Sequence, residues 1–404
     1  MKIDIRFWLR FSLLNLLLVA LLGLLMRYKI GFEFPYFDQK NLQLSHSNFA
    51  FTGWISHTLL VLMVYTLQNR LEGFNASGYK KAIILNLICS YGMLVFFIVQ
   101  GYGLISTVFS LLSIVTSYYF AVLFFRDLKK VDDTWLFKNW FKAALFFNVI
   151  SSLGSFALAY MMATKNIHQK EYLVSIYYFL HFQYNGWFFF ACMGLFFDFF
   201  ELKKSEDVFF STSFRLFFIS CIPAYFLSVL WLEIPDWLYL MTVAAAIIQV
   251  YAWFRFLYGL LKKKSDEIMK LSPSLRYVLL FVGFALSVKL LLQLGSTVPF
   301  VSKLAFGFRP VVIAYLHLVL LAVISLFLLF RIHVFSFFSR FGKATFGLLL
   351  FSVGVLLNEI ILAVQGIASF SYTLIPYVNE SLFGVALVLV TGSGFLLYDS
   401  FKKS

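Results

Sequence analysis

Charge is scarce in this sequence, and acid is scarcer than base. Of 404 residues only 13% are charged, with 19 Asp and Glu against 33 Lys and Arg. A soluble domain carries about 25% charged residues, so a soluble fold of this length would lack the polar surface to cover its apolar side chains. Cysteine is nearly missing. Cys89, Cys192 and Cys221 each lie alone in an apolar run, which excludes a disulfide framework and a CxxC metal site and leaves them as small core residues. Proline is scarce within the apolar segments, Pro223 being the main exception, so few broken helices are expected. No GxSxG or HExxH motif occurs, which argues against an intramembrane hydrolase.

What fills the chain instead is apolar and aromatic. Hydrophobic residues make up 61% and Phe alone supplies 53 positions, so lipid is the solvent for much of the surface. The net charge of +14 would point to nucleic acid in a soluble protein. In a membrane protein it reads as basic cytoplasmic loops, with the lipid bilayer as partner and no nucleic acid. A spanning helix needs about 20 mostly apolar residues. Twelve such segments are predicted, near 6–26, 44–67, 82–100, 103–125, 139–162, 172–197, 208–231, 236–261, 275–295, 310–330, 343–366 and 376–400. Lys2, Arg6 and Arg10 precede the first, and no small-x-small cleavage site follows Met26, so it reads as a retained helix rather than a signal peptide. The loop charges alternate with this topology. Twenty-five Lys and Arg fall on the side shared with the N-terminus, seven fall on the other, and Lys289 lies inside a helix. That asymmetry predicts both termini in the cytoplasm. No soluble domain and no internal repeat interrupt the chain, which reads as a single all-α transmembrane domain over 1–404.

Ionisable groups in the hydrocarbon region are costly and mark candidate sites. His46, His181 and His317 stand near the starts of helices 2, 6 and 10, which all enter from the outer side. Each lies roughly 5–15 Å inside its helix start. Three imidazoles at matched depth suit a transmembrane heme or metal site; the plainer reading is a hydrogen bond to a neighbouring helix. His57, eleven residues after His46, shares nearly the same face and reads as structural. Lys289 and Glu359 occupy similar depths in helices 9 and 11, as an ion pair or part of an ion path. Gln183, Asn185 and Gln365 add hydrogen-bonding capacity. Arg309, at the outer start of helix 10, suits a carboxylate such as a heme propionate, or an interfacial anchor.

Twelve helices with histidines on helices 2, 6 and 10 resemble the catalytic subunit I of heme-copper oxidases and the large subunit of nitric oxide reductases. His46-Ser47-Asn48 resembles the reductases' His-Thr-Asn, His181 to Trp187 is similar to their His-Leu-Trp-Val-Glu-Gly-Val, and Tyr315-Leu316-His317 resembles the His-x-His of helix 10. The resemblance implies a bacterial inner-membrane protein with a low-spin heme b on His46 and His317, Arg309 on a propionate, and a metal at His181. It departs from the family where Tyr315 replaces the high-spin heme ligand, Asn185 replaces a glutamate, and helix 7 has no histidine. The implied protein therefore lacks a complete binuclear centre and serves electron transfer or sensing, with a membrane or electron-transfer partner. The NnrS membrane proteins of the nitric oxide response are a second similar family, although their His-Ala-His-Glu pattern is missing here. Two readings compete with the heme protein: a transporter, which predicts broken helices with polar groups at the midplane, and a cofactor-free membrane partner used in assembly.

Overall fold

The computed structural model describes residues 2–32, 34–203, 208–335 and 342–402. Lys204, Arg340 and Lys403, which are among the basic residues counted above, lie outside them. The described chain is helical, with one isolated backbone bridge between Trp135 and Lys203. In order the helices are α1 (Ile5–Gly31), α2 (Gln39–Arg70), α3 (Ser77–Gln100), α4 (Leu104–Leu128), α5 (Phe137–Ala163), α6 (169–199) and α7 (Val208–Cys221). A 3-10 segment, Pro223–Val229, comes next. Then come α8 (Asp236–Met269), α9 (Pro273–Gly295), α10 (Pro299–Gly307), α11 (Arg309–His333), α12 (Lys343–Phe370) and α13 (Val378–Ser400). Their starts obey local chemistry. The Asp4 carboxylate accepts from the backbone of Arg6 and Phe7 at the head of α1, and Asp38 accepts from Asn41 N at 2.9 Å at the head of α2. Each thereby satisfies donors that a helix leaves open.

Ten of these helices, α1–α5, α8, α9 and α11–α13, are long and apolar enough to cross a membrane. The protein is thus an all-α, polytopic integral membrane protein. The twelve predicted spans differ from these ten at two places. The segment predicted as one helix over 208–231 bends by 47° between Cys221 and Pro223. It counts as an eleventh span only if its two pieces cross together. Helix α6 is about 46 Å long at 1.5 Å per residue, enough to span, but His181, Gln183 and Asn185 dilute its apolar run. Helix α10 occupies a stretch expected to be loop; Pro299 opens it at the helical position where proline's missing N–H costs nothing.

Three helices contain a π-helical segment: Ala50–Ser56 in α2, Phe182–Phe188 in α6 and Leu318–Ser325 in α11. Each begins within four residues after His46, His181 and His317 respectively. Their starts are 132 and 136 residues apart, a regularity that the sequence shows no sign of. A π turn holds one residue more than the α-helix allows and so rotates the residues beyond it by about 100°. His57 therefore leaves the face of His46, contrary to the α-helical reading. It is buried, with its ring 6.3 Å from that of Trp8.

The chain divides into two compact units. Unit 1 comprises Met1–Lys130, Ser272–Leu280 and Ile324–Ser404, and unit 2 comprises Val131–Leu271 and Phe281–Val323. In unit 1 the first π segment has its loosened carbonyls answered by side chains. Asn15 Nδ2 donates to Gly53 O (2.6 Å), Asn86 Nδ2 donates to Thr52 O (3.1 Å), and the Tyr91 hydroxyl donates to Asn15 Oδ1 (2.6 Å). With no water in the bilayer interior, such partners are obligatory. In unit 2, α5 and α6 approach closely. A Cβ placed on Gly154 would lie 2.6 Å from Ser175 O and 2.9 Å from Phe179 N, so a residue without a side chain is needed there. The buried Trp140 ring collects Phe190, Phe197 and Phe214 at centroid distances of 5.2, 5.3 and 5.1 Å, giving this part of unit 2 a rigid aromatic base.

Candidate functional site

The bend at Pro223 changes the hydrogen bonding around it. Proline carries no N–H, and beyond it Tyr225 N turns to Ile222 O at 3.1 Å. The Cys221 carbonyl, which would accept from residue 225 in an unbroken α-helix, is thereby released. His181 from α6 takes it, with Nε2 2.9 Å from Cys221 O. Because a carbonyl only accepts, Nε2 carries the proton and Nδ1 is the acceptor nitrogen. Asn185, one turn on within the π segment, supplies the matching donor: Nδ2 lies 3.1 Å from His181 Nδ1. Its Oδ1 then accepts from Lys289 Nζ of α9 at 2.6 Å. The bonds run in one direction, from the Lys289 amine through the Asn185 amide and the His181 imidazole to the freed carbonyl.

Every member of this relay is buried: His181 is 1%, Cys221 1%, Lys289 5% and Asn185 6% exposed. A second amide, Gln183, donates to Asn148 Oδ1 (3.1 Å) and Ser151 Oγ (2.7 Å) and ties α6 to α5. Beside the relay is a cavity of about 10 Å³, lined by Asn185, Cys221, Gln249 and Lys289 together with Phe189, Phe217 and other apolar groups. That is room for about one water molecule. The buried Gln249 of α8 makes no hydrogen bond to any described residue, and nor does the Oε1 of the buried Gln293, one turn beyond Lys289.

Of the residues singled out in the sequence, His181, Asn185 and Lys289 are brought together here. Lys289 finds Asn185 in its own unit, whereas Glu359 of unit 1 accepts from its neighbour Asn358 at 3.2 Å. Each of the two thus makes an amide contact within its own unit, and sequence, which reports depth along a helix, does not say which face meets which. Both ring nitrogens of His181 are engaged by protein groups, so a metal there would have to displace one of these bonds. Among the described residues no three His, Cys, Asp or Glu side chains gather in a way that could hold a metal ion.

His46 belongs to unit 1 and His317 to unit 2. They lie about 10 and 12 Å along α2 and α11, and His181 about 18 Å along α6. The His46 ring faces Gly23 of α1, where a Cβ would come within 3.5 Å of its Cε1. His317 Nδ1 lies 2.8 Å from Ile313 O of its own helix. Arg309 is an exposed residue at the start of α11. Tyr315 stacks edge-on to Tyr184, with ring centroids 6.3 Å apart. Gln249 and the Cys221 carbonyl were not foreseen; the second is a backbone group, announced only by Pro223 two residues later. Compared with known proteins, the chain matches no protein-family model and no curated sequence.

Proposed function

We propose that this protein is a membrane carrier whose working site is the broken helix of unit 2 and the buried relay beside it. The observation that carries the reading is the released Cys221 carbonyl, bonded to His181 next to a buried lysine and a small polar cavity. Irregular backbone within a bilayer is tolerated only where protein buries it or where it lines a cavity. Ionisable side chains at such a place mark solute or ion paths, and interrupted helices are how many carriers present their sites. On this reading α6 and the bent pair both cross. Twelve crossings then put both ends on one side, and the excess of basic loop residues supports the cytoplasm as that side, in a membrane that we read as a bacterial inner membrane.

Cys221 reports on the site directly. In a C89S/C192S background reconstituted into vesicles, a small membrane-impermeant thiol reagent should label Cys221 from at least one side. The additional change P223A, which restores the missing N–H, should slow that labelling several-fold. A thiol that stays unreactive from both sides, while a surface control cysteine labels fully, would sink the carrier reading.

A second reading is a heme b held between His46 and His317, with Arg309 on a propionate and a further metal at His181. One observation favours it: the contact with Ile313 O makes Nδ1 of His317 the proton-bearing nitrogen, the tautomer in which Nε2 is the ligating atom. Such a bis-imidazole iron would exchange electrons and leave no position for substrate. Oxidised and dithionite-reduced optical spectra of the purified protein, beside an H46A/H317A double mutant, decide it. Sharp reduced bands lost in the mutant support the heme, and a colourless wild type from heme-replete cells rejects it.

A further inference from the structure

We infer that the Lys289 cavity is a binding site for a small inorganic anion of halide size. The inference deepens the carrier reading and rests on it for movement of the anion across the membrane, though not for its binding.

The first ground is charge. Lys289 is 5% exposed, and its one hydrogen-bond acceptor among the described residues is a neutral amide oxygen. The acidic residues on the spanning helices of unit 2, Glu171, Asp198, Asp236, Asp266 and Glu267, all stand at or near helix ends. None is carried by the middle of a helix. Buried charge is normally paired, and here no described residue of the same unit supplies a carboxylate to the lysine.

The second ground is the direction of the relay. The Cys221 carbonyl, His181 Nδ1 and Asn185 Oδ1 are acceptors, and each is already occupied by the donor before it. What the relay leaves over at the cavity is the rest of the lysine's donor capacity. An ammonium group has three hydrogens and Asn185 takes one. Gln249 faces the same space with an amide that can turn its NH2 toward a bound anion. One positive charge with donors turned toward the cavity favours an anion over a cation.

The third ground is size. About 10 Å³ admits something near one water molecule, which suits a halide better than a carboxylate metabolite or a phosphate ester.

The test uses full-length protein in detergent, with chloride as the probe and gluconate as the control anion at equal ionic strength. Wild type should give saturable broadening of the chloride NMR line and a chloride-dependent rise in melting temperature. K289M should lose both. Q249L, which keeps the lysine, should bind about tenfold more weakly, and it stands in for K289M if that variant does not fold. A folded wild type with no saturable chloride effect overturns the inference, as does a K289M or Q249L protein that binds as well as wild type. Chloride binding alongside an unreactive Cys221 would leave the anion site standing and remove the carrier. A reactive Cys221 without chloride binding would do the reverse.

Discussion

Lys289 and Asn185 share one bond, yet removing either should have a different effect. Replacing Asn185 with Leu strands an ammonium group among Phe and Leu side chains and leaves His181 Nδ1 unanswered. Breaking a buried charged contact from the partner's side costs about 3–5 kcal/mol. Replacing Lys289 with Met removes the charge and leaves only an amide oxygen unfilled, about 1–3 kcal/mol. The double mutant N185L/K289M should be less damaged than N185L alone, because the stranded charge is gone and the two sites are coupled. Unfolding titrations in mixed micelles will rank the three. If N185L proves no worse than K289M, the relay does not depend on Asn185 as described. At this scale the sequence was informative about identity and poor about partnership. His181, Asn185 and Lys289 were each visible as polar residues inside apolar segments, whereas pairing Lys289 with Glu359 required facing directions that depth cannot supply.

Helices in this protein were legible where they were regular. The ten long apolar spans coincide closely with predicted segments because about twenty apolar residues admit little else in lipid. The departures sit where the helix stops being an α-helix. The 3.6-residue period fails across the π segments, and the bend at Pro223 divides what hydropathy reads as one helix. Packing at the element scale offers a test with opposite signs. Gly154 of α5 lies against the backbone of α6, so G154A has to push Ser175 and Phe179 away and should destabilise the protein by about 1–3 kcal/mol. Gly283 of α9 has open space where a Cβ would go. There G283A should stabilise by up to about 1 kcal/mol through helix propensity alone. Thermal melting of the two variants checks both, and a neutral G154A would contradict the close approach of α5 and α6.

For the molecule as a whole, composition already implied a membrane protein, since its surface offers too few charges for water. The distribution of its basic residues sets the expected orientation. An alkaline phosphatase domain fused after Ser404 should be inactive, and one inserted at Lys165 should be active; an active C-terminal fusion would refute the proposed twelve crossings. The polarity of α6 has a consequence of its own for how the protein is made. A segment carrying His181, Gln183 and Asn185 partitions poorly into lipid by itself and would not leave the translocon unaided. Helix α5 emerges first, meets α6 at Gly154, and offers Asn148 and Ser151 to Gln183. The two helices are therefore expected to enter the bilayer as a hairpin, so that biogenesis of unit 2 depends on α5 being in place before the site's own helix arrives.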